Sequence, residues 1–342
     1  MNKCLAAPRP ALSLLACLLV STSSVISAQS PHQPADPDSP PGGIQQLEAG
    51  QPYVHVHSTV EAMEKYRAIH GSRPGSGGTS KLLSYHGGTS GVGVETAPKV
   101  YLVLWGSQWA DDPSGEALIL ENFFNGVGGS QWLNSVTQYC QGVANGTVSC
   151  KGAGVPAGNQ PAIFGSYLID NGSAAPSHPT QSQLAAEAVK AAQFFGNTSA
   201  TLNASVQYVI ATAHNNSAAG FGTQYCAWHS STTSTVGRIA YTNLPYMTDA
   251  GASCGANFNG LGANAGITIV EGHELAETIT DQFPNTGWLD GSGAENGDKC
   301  AWISSGSGAS ANVTLPSGST FPVQTLWSNA ANSGAGGCVI SY

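Results

Sequence analysis

Between Val270 and Gln282 the chain reads VEGHELAETITDQ, one histidine and four carboxylates with no lysine or arginine among them. On a helix turning 100° per residue, His273, Glu274, Glu277, Thr278 and Asp281 fall on one side, with Glu271 at its edge. Ile269, Gly272, Leu275, Ala276, Ile279 and Phe283 fall on the other. Like charges three or four positions apart repel by about 0.2–0.5 kcal/mol per pair, which a solvated helix ordinarily relieves with basic neighbours. A bound cation would relieve it here. In His-Glu-x-x-His helices, ligands at i and i+4 face one zinc ion and the first glutamate takes a proton from water. His273-Glu274-Leu275-Ala276-Glu277 keeps that spacing with a carboxylate as second ligand, a donor zinc accepts. The expected chemistry is metal on His273 and Glu277 with Glu274 as catalytic base. The competing expectations are an amphipathic helix with a solvated or hydrogen-bonded acidic face, and acid/base chemistry without metal.

A metal site of this kind needs a third ligand from downstream. Trp288–Trp302, WLDGSGAENGDKCAW, supplies Asp290, Glu295 and Asp298, of which Glu295 or Asp298 is expected to complete the site. A compact zinc site requires His273 within about 6 Å of one of them, since each ligand bond is only about 2 Å long. The same glycine-rich loop could wrap calcium, although it lacks a full EF-hand pattern. His229 follows Cys226 and Trp228 and could line the cleft as a ligand or oxyanion donor, or be an ordinary packed histidine. His55 and His57 alternate on a short candidate strand and are expected to be a surface pair. Neither a Gly-x-Ser-x-Gly elbow nor a phosphate-binding loop occurs, so serine hydrolysis and nucleotide chemistry lack support.

These residues must be held by other elements. KVYLVLWG (Lys99–Gly106) and ASVQYVIATAH (Ala204–His214) read as buried strands, with shorter strands in QYCAWHS and GRIAYTNL. Helices are predicted at Thr59–Ile69, at Gly115–Val127 and at Thr180–Gly196, the last capped by Thr180 and stopped by Gly196. The helix bearing the acidic stretch is expected from about Ala265 to Gln282. Strand–helix alternation followed by irregular β structure gives an α/β or α+β fold. The order suits a zincin-like mixed sheet with a backing helix and an active-site helix. Six cysteines remain beyond residue 28, and pairing sequence neighbours predicts disulfides 140–150, 226–254 and 300–338.

The chain has 342 residues, 9% of them charged, a net charge of -9 and 11 basic residues. So few cations exclude docking on nucleic acid or anionic membranes. Lys3 and Arg9 before the apolar Ala11–Val20 run, with ISA ending at Ala28, mark residues 1–28 as a secretory signal. Residues 29–80, rich in proline and glycine, read as a linker and candidate pro-segment with one short helix, followed by a single domain over 81–342. An exported protein follows, secreted or held in a periplasm or cell wall.

SYHGGTSG (Ser84–Gly91), VYLVLWGSQW (Val100–Trp109) and YCAWHS (Tyr225–Ser230) occur in that order. Together they resemble the Exordium, or phosphate-induced protein 1, family of secreted plant cell-wall proteins, in patches from Ser84 to the C-terminus. One departure is Leu104-Trp105-Gly106, which lacks the family's extra aromatic residue before glycine. The resemblance implies a cell-surface or growth-linked protein and carries no catalytic activity with it. The expectation from the residues is an exported zinc hydrolase acting on peptide bonds. The alternative is a non-catalytic extracellular or wall-associated protein with a structural calcium or acidic site. A peptide or cell-surface polymer is the expected substrate.

Overall fold

The computed structural model describes residues 41–70 and 82–342. The signal segment, Cys4 and Cys17, residues 29–40 and the Gly71–Ser80 break lie outside them. In chain order the principal elements begin with β1 (Gly43–Gln45), β2 (Val54–His57), α1 (Val60–His70) and β3 (Lys99–Trp105). There follow α2 (Glu116–Val127), β4 (Phe164–Asp170), α3 (Gln181–Phe194) and β5 (Val206–Thr212). The last are β6 (Ala227–Ser234), β7 (Gly237–Leu244) and α4 (Ala265–Thr280). The fold is mixed α/β.

One seven-stranded sheet runs in the order β1-β2-β6-β7-β5-β3-β4. Strands β7, β5, β3 and β4 are mutually parallel, while β6 joins β7 and β2 joins β6 antiparallel. The alternation of side chains along a strand decides which residues meet which helix. Tyr101 and Val103 of β3 pack with Tyr208 and Ile210 of β5 against Leu184, Ala188 and Ala191 of α3. Leu102, Leu104, Val209 and Ala211 point the other way, into a core with Phe123 and Phe124 of α2 and Ile267, Leu275 and Ile279 of α4. Both faces are covered, which is why these strands read as continuous apolar runs.

Residues 43–57, which composition assigns to the linker, form two strands of this sheet. Val54 and Val56 join the α3-side core, so His55 and His57 must face the α4 side. The expected surface pair is therefore corrected: both histidines are 0% exposed.

Helix α4 carries the run Ile267-Thr268-Ile269-Val270, four β-branched residues of low helix propensity. Tertiary packing compensates, since every residue from Ala265 to Thr280 is buried. A wet acidic face is excluded, because the polar side of α4 looks inward. Gly266 allows the approach to the preceding segment, where a Cβ would lie 1.9 Å from the Cys254 carbonyl oxygen. Among the described residues, disulfides join Cys140–Cys150, Cys226–Cys254 and Cys300–Cys338, the pairs predicted from sequence order. The second ties the entry to β6 to the segment before α4.

Candidate metal centre

Three histidines and three acids converge where α4 meets the β2–β6 end of the sheet. His55, His229, Glu277 and Glu295 each offer one atom within 4.8 Å of the others. His273, Glu277 and Asp298 make a second such group that shares Glu277. Glu277 Oε2 lies 3.1 Å from His273 Nε2 and 3.3 Å from His55 Nδ1. Asp298 places Oδ1 3.9 Å from His273 Nε2 and Oδ2 3.5 Å from His55 Nδ1. Bonds of about 2.0–2.1 Å put donor atoms about 3.3 Å apart around a tetrahedral ion, so these separations are compatible with a shared cation as well as with His–carboxylate ion pairs.

The second layer fixes which nitrogen faces the centre. His55 Nε2–H donates to the Gly293 carbonyl at 3.0 Å, leaving Nδ1 toward the acids. His273 Nδ1–H donates to Gln324 Oε1 at 3.2 Å, leaving Nε2 inward. Gln324 is itself oriented by donating Nε2–H to the Gly297 carbonyl at 2.8 Å. Such outer partners set the tautomer and aim of metal-binding histidines. His57 donates to the Ser58 carbonyl at 2.9 Å and packs its ring 3.9 Å from that of His273. Among the described residues His55 Nδ1, His273 Nε2, His229 Nε2, Glu277 Oε2 and both Glu295 oxygens make no well-formed hydrogen bond and meet chiefly one another and, for Glu295, the Asp281 carboxyl, though all are buried. Unpartnered buried polar atoms are costly, which makes their convergence informative.

The loop bearing Glu295 and Asp298 is fastened to α4. Asn296 Nδ2 donates to the Ala276 carbonyl and to Thr280 Oγ1, at 3.0 and 2.7 Å. The Asp298 amide donates to Glu277 Oε1 at 2.9 Å and the Glu295 amide to Asp298 Oδ2 at 3.0 Å. Gly297 lies so close that a Cβ would stand 2.6 Å from His273 Nδ1 and 2.8 Å from Glu277 Oε1. Glu274 sits one step aside, its Oε2 3.0 Å from His229 Nδ1 and its Oε1 unpartnered.

The electrostatics are those of acids crowded with too little positive charge. Burial, then Glu277, pushes Glu274 and Glu295 well above the carboxylate range and Asp298 up to about 6. Burial opposes protonation of His55, but Asp298 and Glu277 outweigh it and raise the ring to about 10. His229 is depressed to about 3 by burial and by the neighbouring His55. Burial alone would raise Glu277, yet His273 and His55 hold it well below its usual value. A divalent cation at this point would supply the missing charge.

Of the residues singled out by sequence, His273, Glu277, Glu295, Asp298, Glu274 and His229 come together here. Asp290, Asp281 and Glu271 belong to neither group. The Asp290 carboxylate pairs with Lys299 and caps its own turn through the Ser292 and Ala294 amides. Asp281 accepts from the Asn285, Thr286 and Gly287 amides just after α4. Local turn geometry engages both acids, although Asp281 also meets the Glu295 carboxyl, so fewer carboxylates converge than their clustering in sequence suggested. His86 is exposed, and Gly88 beside it, at φ +72°, makes the tight turn of that block. Sequence reading missed His55 and His57 as members of the site and Gln324 altogether. The period-two alternation was a signal for the histidines, whereas nothing marked the glutamine. No family model, curated protein or solved structure matches this chain.

Proposed function

We propose that this chain is a metal-dependent hydrolase that holds zinc on His273, Glu277 and Asp298 and cleaves peptide bonds with Glu274 as general base. The observation that carries the reading is the convergence of buried histidine and carboxylate donor atoms at 3.1–3.9 Å from one another. Histidine nitrogens favour zinc over calcium, which takes oxygen cages. Zinc supplies Lewis acidity that lets water ionise near neutral pH. With Glu274 ionised, His229 Nδ1–H donates to its Oε2 and orients the carboxylate, leaving Oε1 free to take the proton. Glu295 stands by as a further donor. Disulfides and a signal-like N-terminus support export, and the Exordium-type blocks support action at a cell surface or wall.

Glu274→Gln is expected to retain zinc, measured by plasma mass spectrometry, and to lose hydrolysis of labelled casein by about 100-fold or more. Undiminished cleavage in that variant sinks the mechanism.

Complete burial of the donors favours a second reading, a non-catalytic extracellular protein whose cation braces α4 against β2 and β6. Chelation would then lower the melting temperature while no chain, wild type or variant, cleaved any peptide.

A further inference from the structure

The donors of the centre are 0–5% exposed, yet a hydrolase must admit substrate. The β1–β2 segment lies against them, with Gly42 beside Asp298 and His55 beside Glu277 and Asp298, and it continues into α1 to form a strap. Strand β2 pairs antiparallel with β6 in the register Val54↔Ser230, His55↔His229, Val56↔Trp228 and His57↔Ala227. Without the strap β6 would be the outermost strand of the sheet. An extended peptide laid antiparallel on such an edge, with one group aimed at the centre, is the geometry of recognition by strand addition. His55 Nδ1 occupies the space between Glu277 Oε2 and Asp298 Oδ2, at 3.3 and 3.5 Å. The chain leading into β1 crosses directly over Asp298, since a Cβ on Gly42 would lie 3.1 Å from its Oδ1.

Hydrogen bonds from several elements hold the strap. Trp302 Nε1 donates to the Ser58 carbonyl at 2.7 Å, and the Arg67 guanidinium donates to the carbonyls of Ala301 and Trp302. The Cys226 amide donates to the His57 carbonyl and Ser230 Oγ to the Tyr53 carbonyl. Val54 and Val56 add apolar packing on the α3 side, so the strap is held as a bound peptide would be, by edge pairing, side-chain pockets on alternate faces and a ring nitrogen at the centre.

We propose that the edge of β6 is the binding surface for an extended polypeptide substrate, and that β2 is its resident occupant, with His55 filling the coordination position a substrate needs. This rests on the metal-hydrolase reading above and adds that the full chain is latent. Substrate must displace β2, so the apparent affinity of the closed chain is reduced by the fraction of molecules in which the edge is free.

The test compares cobalt(II)-loaded full chain with its His55→Ala variant. The variant should keep one metal per chain on His273, Glu277 and Asp298. Its visible spectrum should respond to azide where that of the wild type does not, and casein cleavage should rise about tenfold or more. Adding Glu274→Gln to the variant should remove that gain. Should the alanine chain fail to fold, His55→Gln keeps the bulk without the ring nitrogens and takes the same readouts. Loss of metal equal to that of His273→Ala makes His55 an integral ligand of a closed structural site, which overturns latency but leaves metal binding intact. Metal retained with no change in azide response or cleavage overturns it as well. If neither chain binds cobalt or zinc, this proposal and the reading beneath it fall together.

Discussion

At the scale of single residues, the centre depends as much on a missing side chain as on those present. Gly297 lies between the ligand helix and its loop, where a methyl group would press on His273 Nδ1 and Glu277 Oε1 at 2.6 and 2.8 Å. Gly297→Ala is therefore expected to rotate the His273 ring away from Gln324 and weaken zinc binding by about 10–100-fold, the usual cost of losing an outer partner. Competition with a chromophoric chelator measures it, and unchanged affinity would mean that the loop yields. Much of the residue-level site was legible, because His273, Glu274 and Glu277 carry their spacing in the sequence. Glu295 and Asp298 were legible as acids close downstream. The role of Asp290 and Asp281 was not, since turn geometry decides whether a carboxylate points at its own amides or at a distant histidine.

At the scale of elements, local signals served where the element makes its own case. Thr180 caps α3 through a reciprocal box with Gln183, in which each side chain meets the other's backbone amide. Thr180→Ala should cost about 1 kcal/mol in urea unfolding and leave metal content unchanged, because α3 packs on the opposite face of the sheet from α4. A loss of metal in that variant would show that the two faces are coupled. Strands β3 and β5 were likewise plain from their β-branched runs. Strands β1 and β2 are only three and four residues long, and the strand that β2 joins to the sheet lies far downstream. No local pattern specifies that pairing, so the side to which His55 and His57 point stayed hidden. Helix α4 is an intermediate case, in which the pattern marked a polar side and only tertiary packing shows that this side is buried.

At the scale of the whole molecule, burial of acids sets a pH dependence separate from the metal. Burial raises Glu95 from 4.5 to about 8 against the opposing hydrogen bond from Gln207, and Glu116 to about 8 against that from the Met247 amide. Each binds its proton more tightly folded than unfolded. Stability is thus greatest below about pH 4.5 for these groups and falls by about 1.4 kcal/mol per pH unit per group until about pH 8. Glu95→Gln should flatten that decline in urea midpoints measured from pH 5 to 8, and an unchanged slope would place the titration elsewhere. Among the described residues no helix is long and apolar enough to cross a membrane. The placement of β2 beside β6 also bears on the order in which the fold closes. Tyr53 meets Ser230 across 177 residues and His55 meets Gly293 across 238, contacts that close late because so much chain must first be gathered. The earliest-made stretch of the sheet is thus among the last to dock. A cation bound there would act as a seal set only on a finished fold, with its binding energy returned as folding energy.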